Sequence, residues 1–131
     1  PEEVKATINL AKLIVNNQDP NNINYKSRLV AIFQPHRYSR LLKFIDNLAI
    51  ELSKADYIII TDIYSAGEAN LDNINSSMLV DKIYKQNKNI VLLNNNYDIK
   101  MNFLKFTKNN DFIINMGAGD CHELWPLLNK I

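Results

Sequence analysis

Four short runs of apolar residues punctuate the chain. They cover residues 29–33, 57–61, 89–93 and 112–116. A continuous apolar run of about five residues, without polar residues at alternate positions, is typical of a strand that is buried on both faces, as strands of parallel sheets are. The pattern therefore predicts four strands that form a mostly parallel sheet.

Between these runs, apolar residues recur every three or four positions, which is the spacing of one helix face. The stripes are Val4, Ile8, Ala11 and Val15; Leu41, Ile45, Leu48 and Leu52; Leu79, Val80 and Ile83; and Tyr97, Met101 and Leu104. Each stripe predicts a helix, the first ending at about Val15 and the third capped by Ser76 or Ser77. The Asn-rich stretch 16–27, interrupted by Pro20, predicts a surface loop.

A last helical segment is predicted after the fourth strand, from Leu124, Leu127 and Leu128. Its start stays open, because Pro126 would kink a helix that began earlier. Strands that alternate with helices predict a single α/β domain over residues 1–131, a three-layer Rossmann-like sheet with helices on both faces.

Composition narrows the class of protein. With 131 residues, 47% hydrophobic and 22% charged, the chain is typical of one globular domain, and a net charge of +1 gives no basic field for nucleic acid or a membrane surface. A single cysteine, Cys121, excludes an internal disulfide. No apolar stretch is long enough to span a bilayer. The chain begins at Pro1 inside what the pattern predicts as a helix start, which suggests a fragment.

The second predicted helix begins with cations where acids are usual. His36, Arg37 and Arg40 lie at its start, although the partial positive charge and unpaired N–H groups of a helix N-terminus favour Asp or Glu. Arg37 and Arg40, three positions apart, would share a helix face, and two guanidiniums beside free N–H groups suit a carboxylate or phosphate. The pattern predicts an anion site; the alternative is a solvated basic turn.

Loops that follow parallel strands meet at one edge of the sheet, which brings three segments together: 34–40, 62–68 and 117–120. Asp62 and Glu68 would then hold an ammonium group opposite the carboxylate bound by the arginines, a description of a free amino acid. The alternative for both acids is a capped turn with a solvated carboxylate. For Gly67 the alternative is that it only provides a positive φ for the turn, and for Tyr64 that its ring only packs.

Other chemistry is poorly supported. Gly117 and Gly119 match the first two glycines of a dinucleotide fingerprint, but His122 stands where a third glycine is needed, so the glycines more simply permit close approach of the loop to a helix. Cys121 and His122 lack a third metal ligand at suitable spacing. The chain contains neither a P-loop motif nor a G-x-S-x-G motif.

Three segments resemble, in order and spacing, the C-terminal domain of the Mur ligases. They are F-Q-P-H-R-Y-S-R at 33–40, D-I-Y-S-A-G-E at 62–68 and M-G-A-G-D at 116–120. The first string is the most specific and G-A-G the least, and the resemblance covers essentially the whole chain. Residues 1–3, Pro-Glu-Glu, are similar to the tail of the family's H-H-P-x-E element. Within the family, the likeness is greatest to the members that add L-alanine to UDP-N-acetylmuramate.

The resemblance implies a three-domain cytoplasmic ligase of peptidoglycan synthesis, and hence of the cell wall. An N-terminal domain would hold UDP-N-acetylmuramate, a central P-loop domain ATP and magnesium, and this domain would close over them with L-alanine. The muramic carboxylate would be phosphorylated to an acyl phosphate, which the amine of alanine attacks. On its own, the domain is expected to bind no cofactor or metal and to be inactive; neither nucleic acid nor membrane is an expected partner.

The resemblance also implies roles for individual residues. The motif at the second helix would hold the carboxylate of the amino acid through His36, Arg37 and Arg40. The loop that lines the same cleft would contribute Asp62, Tyr64 and Glu68, with Gly67, Gly117 and Gly119 shaping the loops. No catalytic residue is assigned in this chain. Two alternatives remain: the family member that attaches a recycled tripeptide to UDP-N-acetylmuramate, and a stand-alone binding module of flavodoxin or Rossmann type.

Overall fold

The computed structural model describes residues 2–17 and 27–117. In chain order its elements are α1 (Glu2–Asn16), β1 (Leu29–Phe33), α2 (Tyr38–Leu52), β2 (Tyr57–Ile60), α3 (Ser77–Tyr84), β3 (Ile90–Leu92), α4 (Asn96–Phe106) and β4 (Phe112–Met116). The predicted strands and the first four predicted helices are confirmed, with β2 and β3 slightly shorter than predicted. The last predicted helical segment, with Gly119, Cys121, His122 and Pro126, lies outside the described residues, as does most of the predicted 16–27 loop.

The described strands form one sheet in the order β3-β2-β1-β4, and every neighbouring pair is parallel. The strand β1 is central: its Ile32 pairs with Ile59 of β2 on one side and with Asn115 of β4 on the other. All five residues of β1 are buried, as its continuous apolar run predicts. The predicted parallel α/β sheet is therefore confirmed.

Helices cover both faces of the sheet. On one face, alternate β1 residues such as Ala31 pack with α1, α2 and α3, whereas Val30 and Ile32 pack on the other face against α4 through Ile99. From β1 to β3 the chain moves one way across the sheet over the first face, and from β3 to β4 it returns over the second. Because the direction across the sheet and the covered face both change, the connections between parallel strands all keep the same handedness, as parallel sheets require.

The helix α4 buries a different face from the one that its apolar stripe suggests. Tyr97, Met101 and Leu104 do share a face, but the three side chains are 66%, 59% and 70% exposed. The buried residue of α4 is Ile99, and Phe103 packs beside it. Periodicity correctly predicts the helix here, yet it does not identify the face that meets the sheet.

Ser76 precedes α3 without capping it through its side chain. Its hydroxyl donates instead to the backbone carbonyl of Thr61, at 2.6 Å. This hydrogen bond links the start of α3 to the end of β2. Ser76 therefore occupies the predicted N-cap position of α3, but its side chain makes no capping hydrogen bond. A true side-chain cap occurs at α4, where the Asn95 amide oxygen accepts from the backbone N–H of Asp98 at 2.9 Å.

The amino end of the sheet is closed by an ion pair. Arg28 donates to both carboxylate oxygens of Asp111, from Nε at 3.2 Å and from Nη2 at 2.9 Å, and Nη2 also donates to the carbonyl of Phe106 at 3.0 Å. The Asp111 side chain is only 4% exposed. This cluster joins the start of β1 to the turn before β4, at the edge opposite to the predicted site.

Candidate functional site

The loops after β1, β2 and β4 meet at the carboxyl edge of the sheet. The backbone N–H of Gln34 donates to the carbonyl of Met116 at 2.9 Å, which joins the first loop to the end of β4. Arg37 N–H donates to the carbonyl of Tyr64 at 2.8 Å, and Tyr64 N–H donates to the carbonyl of Pro35 at 2.9 Å. The predicted convergence of the three segments is therefore confirmed for residues 34–40, 62–68 and 117.

Arg37 is the residue before α2 and is not helical. Its φ of 66° and ψ of 144° lie in a region that is populated almost only by glycine. Its N–H bonds to Tyr64, and its carbonyl accepts from Leu41 N–H at 3.2 Å, so both sides of the strained residue are held. Because Arg37 precedes the helix and is not helical, it does not share a helix face with Arg40, contrary to the prediction.

The acid that is missing from the first turn of α2 comes from a distant part of the chain. One carboxylate oxygen of Glu68 accepts from the backbone N–H of Ser39 at 2.8 Å, and the other accepts from the Ser39 hydroxyl at 2.5 Å. These bonds, together with the charge of Arg37, hold the pKa of Glu68 below its usual 4.5. The helix N-terminus thus has an anion, supplied by the loop after β2.

That loop turns sharply just before Glu68. Ala66 and Gly67 both have positive φ, 50° and 83°, and Glu68 N–H donates to the carbonyl of Ser65 at 3.0 Å. Two successive positive φ values closed by such a bond are characteristic of a type I′ turn. No neighbouring atom would obstruct a Cβ at Gly67, so glycine suits this position through its backbone conformation alone.

Gly117 is required for close approach. A Cβ at this position would lie 2.8 Å from the Cβ and 2.9 Å from the carbonyl oxygen of Gln34, and its φ is +152°. The predicted close approach is confirmed for Gly117, and its partner among the described residues is Gln34, in the segment that leaves β1. Gly119 lies outside the described residues.

A cleft of about 360 Å³ opens where β1 and β4 end, between α1 and α2. Its apolar wall includes Phe33, Leu41, Phe44 and Leu48. Its polar and charged side chains include Glu3 and Thr7 from α1, and His36 and Arg40 from the motif at α2. In the sheet order β3-β2-β1-β4, the chain leaves β1 toward β2, on the side away from β4. The cleft at the ends of β1 and β4 therefore lies at the type of crevice where open α/β sheets bind ligands.

Arg40 lines this cleft and is exposed. It lies over the ring of Phe44, 5.8 Å from its centroid, and Lys43 approaches the same ring at 5.3 Å. Within residues 2–17 and 27–117, no carboxylate forms an ion pair with Arg40. A guanidinium in this state can accept an anionic ligand without first breaking an internal ion pair.

The other side chains predicted to bind the substrate do not line the cleft. Tyr64 stacks on the half-buried ring of His36, with centroids 5.8 Å apart and planes 14° apart, so it lies behind the cleft rather than in its wall. Arg37 and Glu68 also lie outside the wall. Asp62 lies toward α4: burial, and then the charge of Asp98, raise its pKa above the usual 3.8.

Glu3 and Thr7 line the cleft, but sequence reasoning did not propose them as site residues. They lie on α1, about thirty residues before the motif, so local patterns around the motif do not indicate them. The signal for Glu3 was the similarity of residues 1–3 to the tail of the H-H-P-x-E element, where Glu3 matches the final glutamate.

Neither a metal centre nor a membrane span is found in the part of the chain that the structure describes. No group of three His, Cys, Asp or Glu side chains there is arranged to hold a metal ion. None of the described helices has the length and apolar character needed to cross a bilayer.

Comparison with known proteins decides the family. The chain is 54% identical over 130 residues to the UDP-N-acetylmuramate–L-alanine ligase of Prochlorococcus marinus subsp. pastoris, an alignment that covers 99% of the chain and 28% of that enzyme. The chain belongs to the Mur ligase family. The enzymes of the same name from a Synechococcus species and from Trichormus variabilis are 35% and 36% identical to it, over 99% and 96% of the chain. No protein-family model matches the chain.

The chain spans about a quarter of the length of these Mur ligases, and it matches their C-terminal part. Because the most similar of the three aligns with 99% of the chain, the cleft and its loops lie within the region of similarity. The family resemblance inferred from the three segments is therefore confirmed. The recycled-tripeptide and stand-alone alternatives are not favoured.

Proposed function

We propose that this chain is the C-terminal domain of an ATP-dependent ligase that joins L-alanine to UDP-N-acetylmuramate in peptidoglycan synthesis, and that the domain holds the amino acid. The observation that carries the proposal is the 54% identity, over 99% of the chain, to a ligase of that name. The position of the cleft at the carboxyl edge of the parallel sheet supports an amino-acid site there.

The carboxylate of the amino acid would bind at the α2 side of the cleft. Arg40 offers a planar guanidinium that suits bidentate contact with a carboxylate, and His36 lines the same cleft. The stacking of Tyr64 on His36 would fix the orientation of the imidazole. Arg37 lies outside the cleft wall, so its proposed contribution is a positive charge near the bound carboxylate rather than a contact from a shared helix face.

The ammonium group would be matched by an acid, and among the described residues Glu3 is the acid in the cleft wall. Among the described residues, Glu3 and Arg40 form no ion pair with each other, although both line the cleft. Opposite charges that share a cleft without neutralising one another suit a zwitterion. The convergence of the loops and the family resemblance also predict Asp62 and Glu68 for this role, but neither of them lines the cleft wall.

Neither the sequence motifs nor the described residues support a site for ATP or magnesium in this chain. The sequence has no P-loop, and no three metal-ligating side chains come together among the described residues. We infer that the other domains of the ligase would hold the nucleotide, the metal and UDP-N-acetylmuramate. The contribution of this domain is then to bind and orient the amine that attacks.

The test is the release of phosphate from ATP by the full-length ligase that carries this chain, assayed with UDP-N-acetylmuramate and either L-alanine or a tripeptide. Turnover is expected with L-alanine and far less with the tripeptide. Preference for the tripeptide would favour the recycling enzyme instead. Magnesium-dependent binding of ATP to the 131-residue chain alone, measured by calorimetry, would favour a stand-alone module.

Glu3→Gln tests the proposed ammonium contact. Losing a hydrogen bond to a charged group weakens binding by roughly tenfold to a hundredfold, so the KM for L-alanine should rise by about that factor while the KM for ATP stays unchanged. Glu2→Gln is the matched control, because Glu2 is an exposed neighbour on α1 that does not line the cleft. Equal effects of the two changes would assign the ammonium group to another acid.

A further inference from the structure

The loop after β2 accepts hydrogen bonds from residues 37–40 at two places. At one end, the carbonyl of Tyr64 accepts from Arg37 N–H; at the other, the Glu68 carboxylate accepts from both the N–H and the hydroxyl of Ser39. Glu68 and Ser39 are 29 residues apart in sequence. Together with the bond from Tyr64 N–H to the carbonyl of Pro35, these contacts join the two loops, and one of them holds Ser39, the residue directly before Arg40.

These hydrogen bonds matter for the local conformation, because the segment 37–40 that they hold is strained at Arg37. Arg37 has a positive φ, a backbone conformation that is strained for a residue other than glycine. Such a conformation persists only where surrounding contacts over-determine it. Ser39 N–H is also one of the first N–H groups of α2, which have no partner within the helix. Without Glu68, the first turn of α2 would lose its cap, and Arg40 lies in that turn.

We propose that Glu68 and Ser39 form a positioning pair, which fixes the first turn of α2 so that Arg40 and His36 face the cleft, and that Glu68 does not itself contact the substrate. Both oxygens of its carboxylate already accept hydrogen bonds from Ser39. Turning the carboxylate toward an ammonium group would strip the cap from α2. Glu68 is also absent from the wall of the cleft, which Glu3 lines.

This inference rests on the proposed function in one respect, namely that the cleft binds L-alanine. It predicts that two chemically different changes have the same consequence. Glu68→Gln removes the charge of the cap, and Ser39→Ala removes the hydroxyl that holds it. A residue that contacts ammonium directly would make only the first change harmful, because a serine hydroxyl adds no negative charge to the cleft.

The test is a double-mutant cycle in the full-length ligase, read as the KM for L-alanine. Glu68→Gln and Ser39→Ala should each raise that KM by about three- to tenfold, and the double variant should be no worse than the poorer single variant, because the two residues act as one unit. The KM values for ATP and UDP-N-acetylmuramate should stay unchanged. Ser39→Thr, which keeps a hydroxyl, should restore most of the loss. Asp72→Asn, at an exposed acid away from the cleft, is the control.

Two results would overturn the proposal. One is a KM for L-alanine in Ser39→Ala within twofold of wild type while Glu68→Gln is impaired, which would make Glu68 a substrate contact. The other is effects of the two changes that multiply in the double variant, which would mean that the residues act separately.

A second readout does not depend on activity. Amide hydrogen exchange of the full-length ligase should become faster over residues 37–41 in Glu68→Gln and Ser39→Ala, but not in Asp72→Asn. Unchanged exchange would overturn the pair. If the wild-type enzyme shows no turnover with L-alanine, the proposed function has failed, and the exchange experiment still decides whether the pair holds the helix start.

Discussion

The sheet carries arginines at both ends, and their surroundings differ. At the amino end, Arg28 makes two hydrogen bonds to Asp111 and one to a backbone carbonyl, and its guanidinium lies 5.5 Å from the ring centroid of Tyr57. At the carboxyl end, Arg40 touches the face of Phe44 and has no ion pair with any described carboxylate. Residue type alone therefore does not distinguish an arginine that holds the fold from one that is open to a ligand.

The electrostatics follow from these partners. Hydrogen bonding to Asp111 raises the pKa of Arg28 above its usual value, outweighing the opposing effect of burial. The Asp111 carboxylate is nearly inaccessible, so without Arg28 it would be a buried charge with fewer partners. The guanidinium of Arg40 is exposed and solvated, and its removal leaves no buried charge behind.

The largest effect is expected from Arg28→Ala. Breaking a pair with one nearly buried partner should lower the free energy of unfolding by about 3 kcal/mol, because Asp111 then lacks its main partner. For a chain of this size, that corresponds to a fall in Tm on the order of 10 °C, measured by thermal unfolding. Lys82→Ala is the control, since Lys82 pairs with Asp46 at the surface. A fall no larger than that of Lys82→Ala would remove the distinction between the two ends of the sheet.

Arg40→Ala should weaken substrate binding while leaving the stability of the fold nearly unchanged. The KM for L-alanine in the full-length ligase should rise about tenfold to a hundredfold, because one charge-assisted contact to the carboxylate is lost, while the Tm changes by only about 1 or 2 °C. Arg40→Lys keeps the charge but not the planar fork, so it should recover part of the loss. An unchanged KM together with a lowered Tm would make Arg40 a structural residue like Arg28.

The smallest effects concern two acids at the carboxyl edge, whose pKa values move in opposite directions. Ser39 lowers the pKa of Glu68, so the carboxylate stabilises the fold above pH 4.5, and that stability is lost as the pH falls through the lowered pKa. Burial raises the pKa of Asp62, so its charge opposes folding at neutral pH, and the opposition fades as the pH falls through the raised pKa.

Melts of Glu68→Gln and Asp62→Asn between pH 3 and pH 8 check these signs. At neutral pH, Glu68→Gln should lower the Tm and Asp62→Asn should raise it, each by at most a few degrees, because both groups are near the surface. Both differences from wild type should shrink on acidification. If the two variants shift in the same direction at neutral pH, the contrast between the acids is wrong.

Local patterns account well for the framework of the fold. The apolar run of β1 predicts a strand that is buried on both faces, and Leu41, Ile45, Leu48 and Leu52 correctly predict the buried face of α2. Where the pattern misleads, the reason is tertiary. The apolar stripe of α4 is exposed, because Ile99, with Phe103 beside it, packs instead against strand residues such as Ile32.

The candidate site is predictable only in part, because the sequence shows which residues are charged but not which of them meet. His36 and Arg40 line the cleft as the motif suggested, and Gly117 permits a close approach. The Glu68 cap joins residues 29 positions apart, and Arg37 leaves the helical conformation under constraints from another loop. Neither feature leaves a trace in the periodicity of the chain.

The central position of β1 has a consequence for synthesis. Its partner β4 lies at the far end of the described chain, and the ion pair that joins their starts links residues 83 positions apart. A growing chain can pair β1 with β2 early, yet one edge of β1 stays open until residues 112–116 have left the ribosome. Such non-local pairing slows folding and exposes an apolar strand edge meanwhile. Completion of this domain is therefore a late event in translation, with β1 exposed to unwanted strand pairing until then.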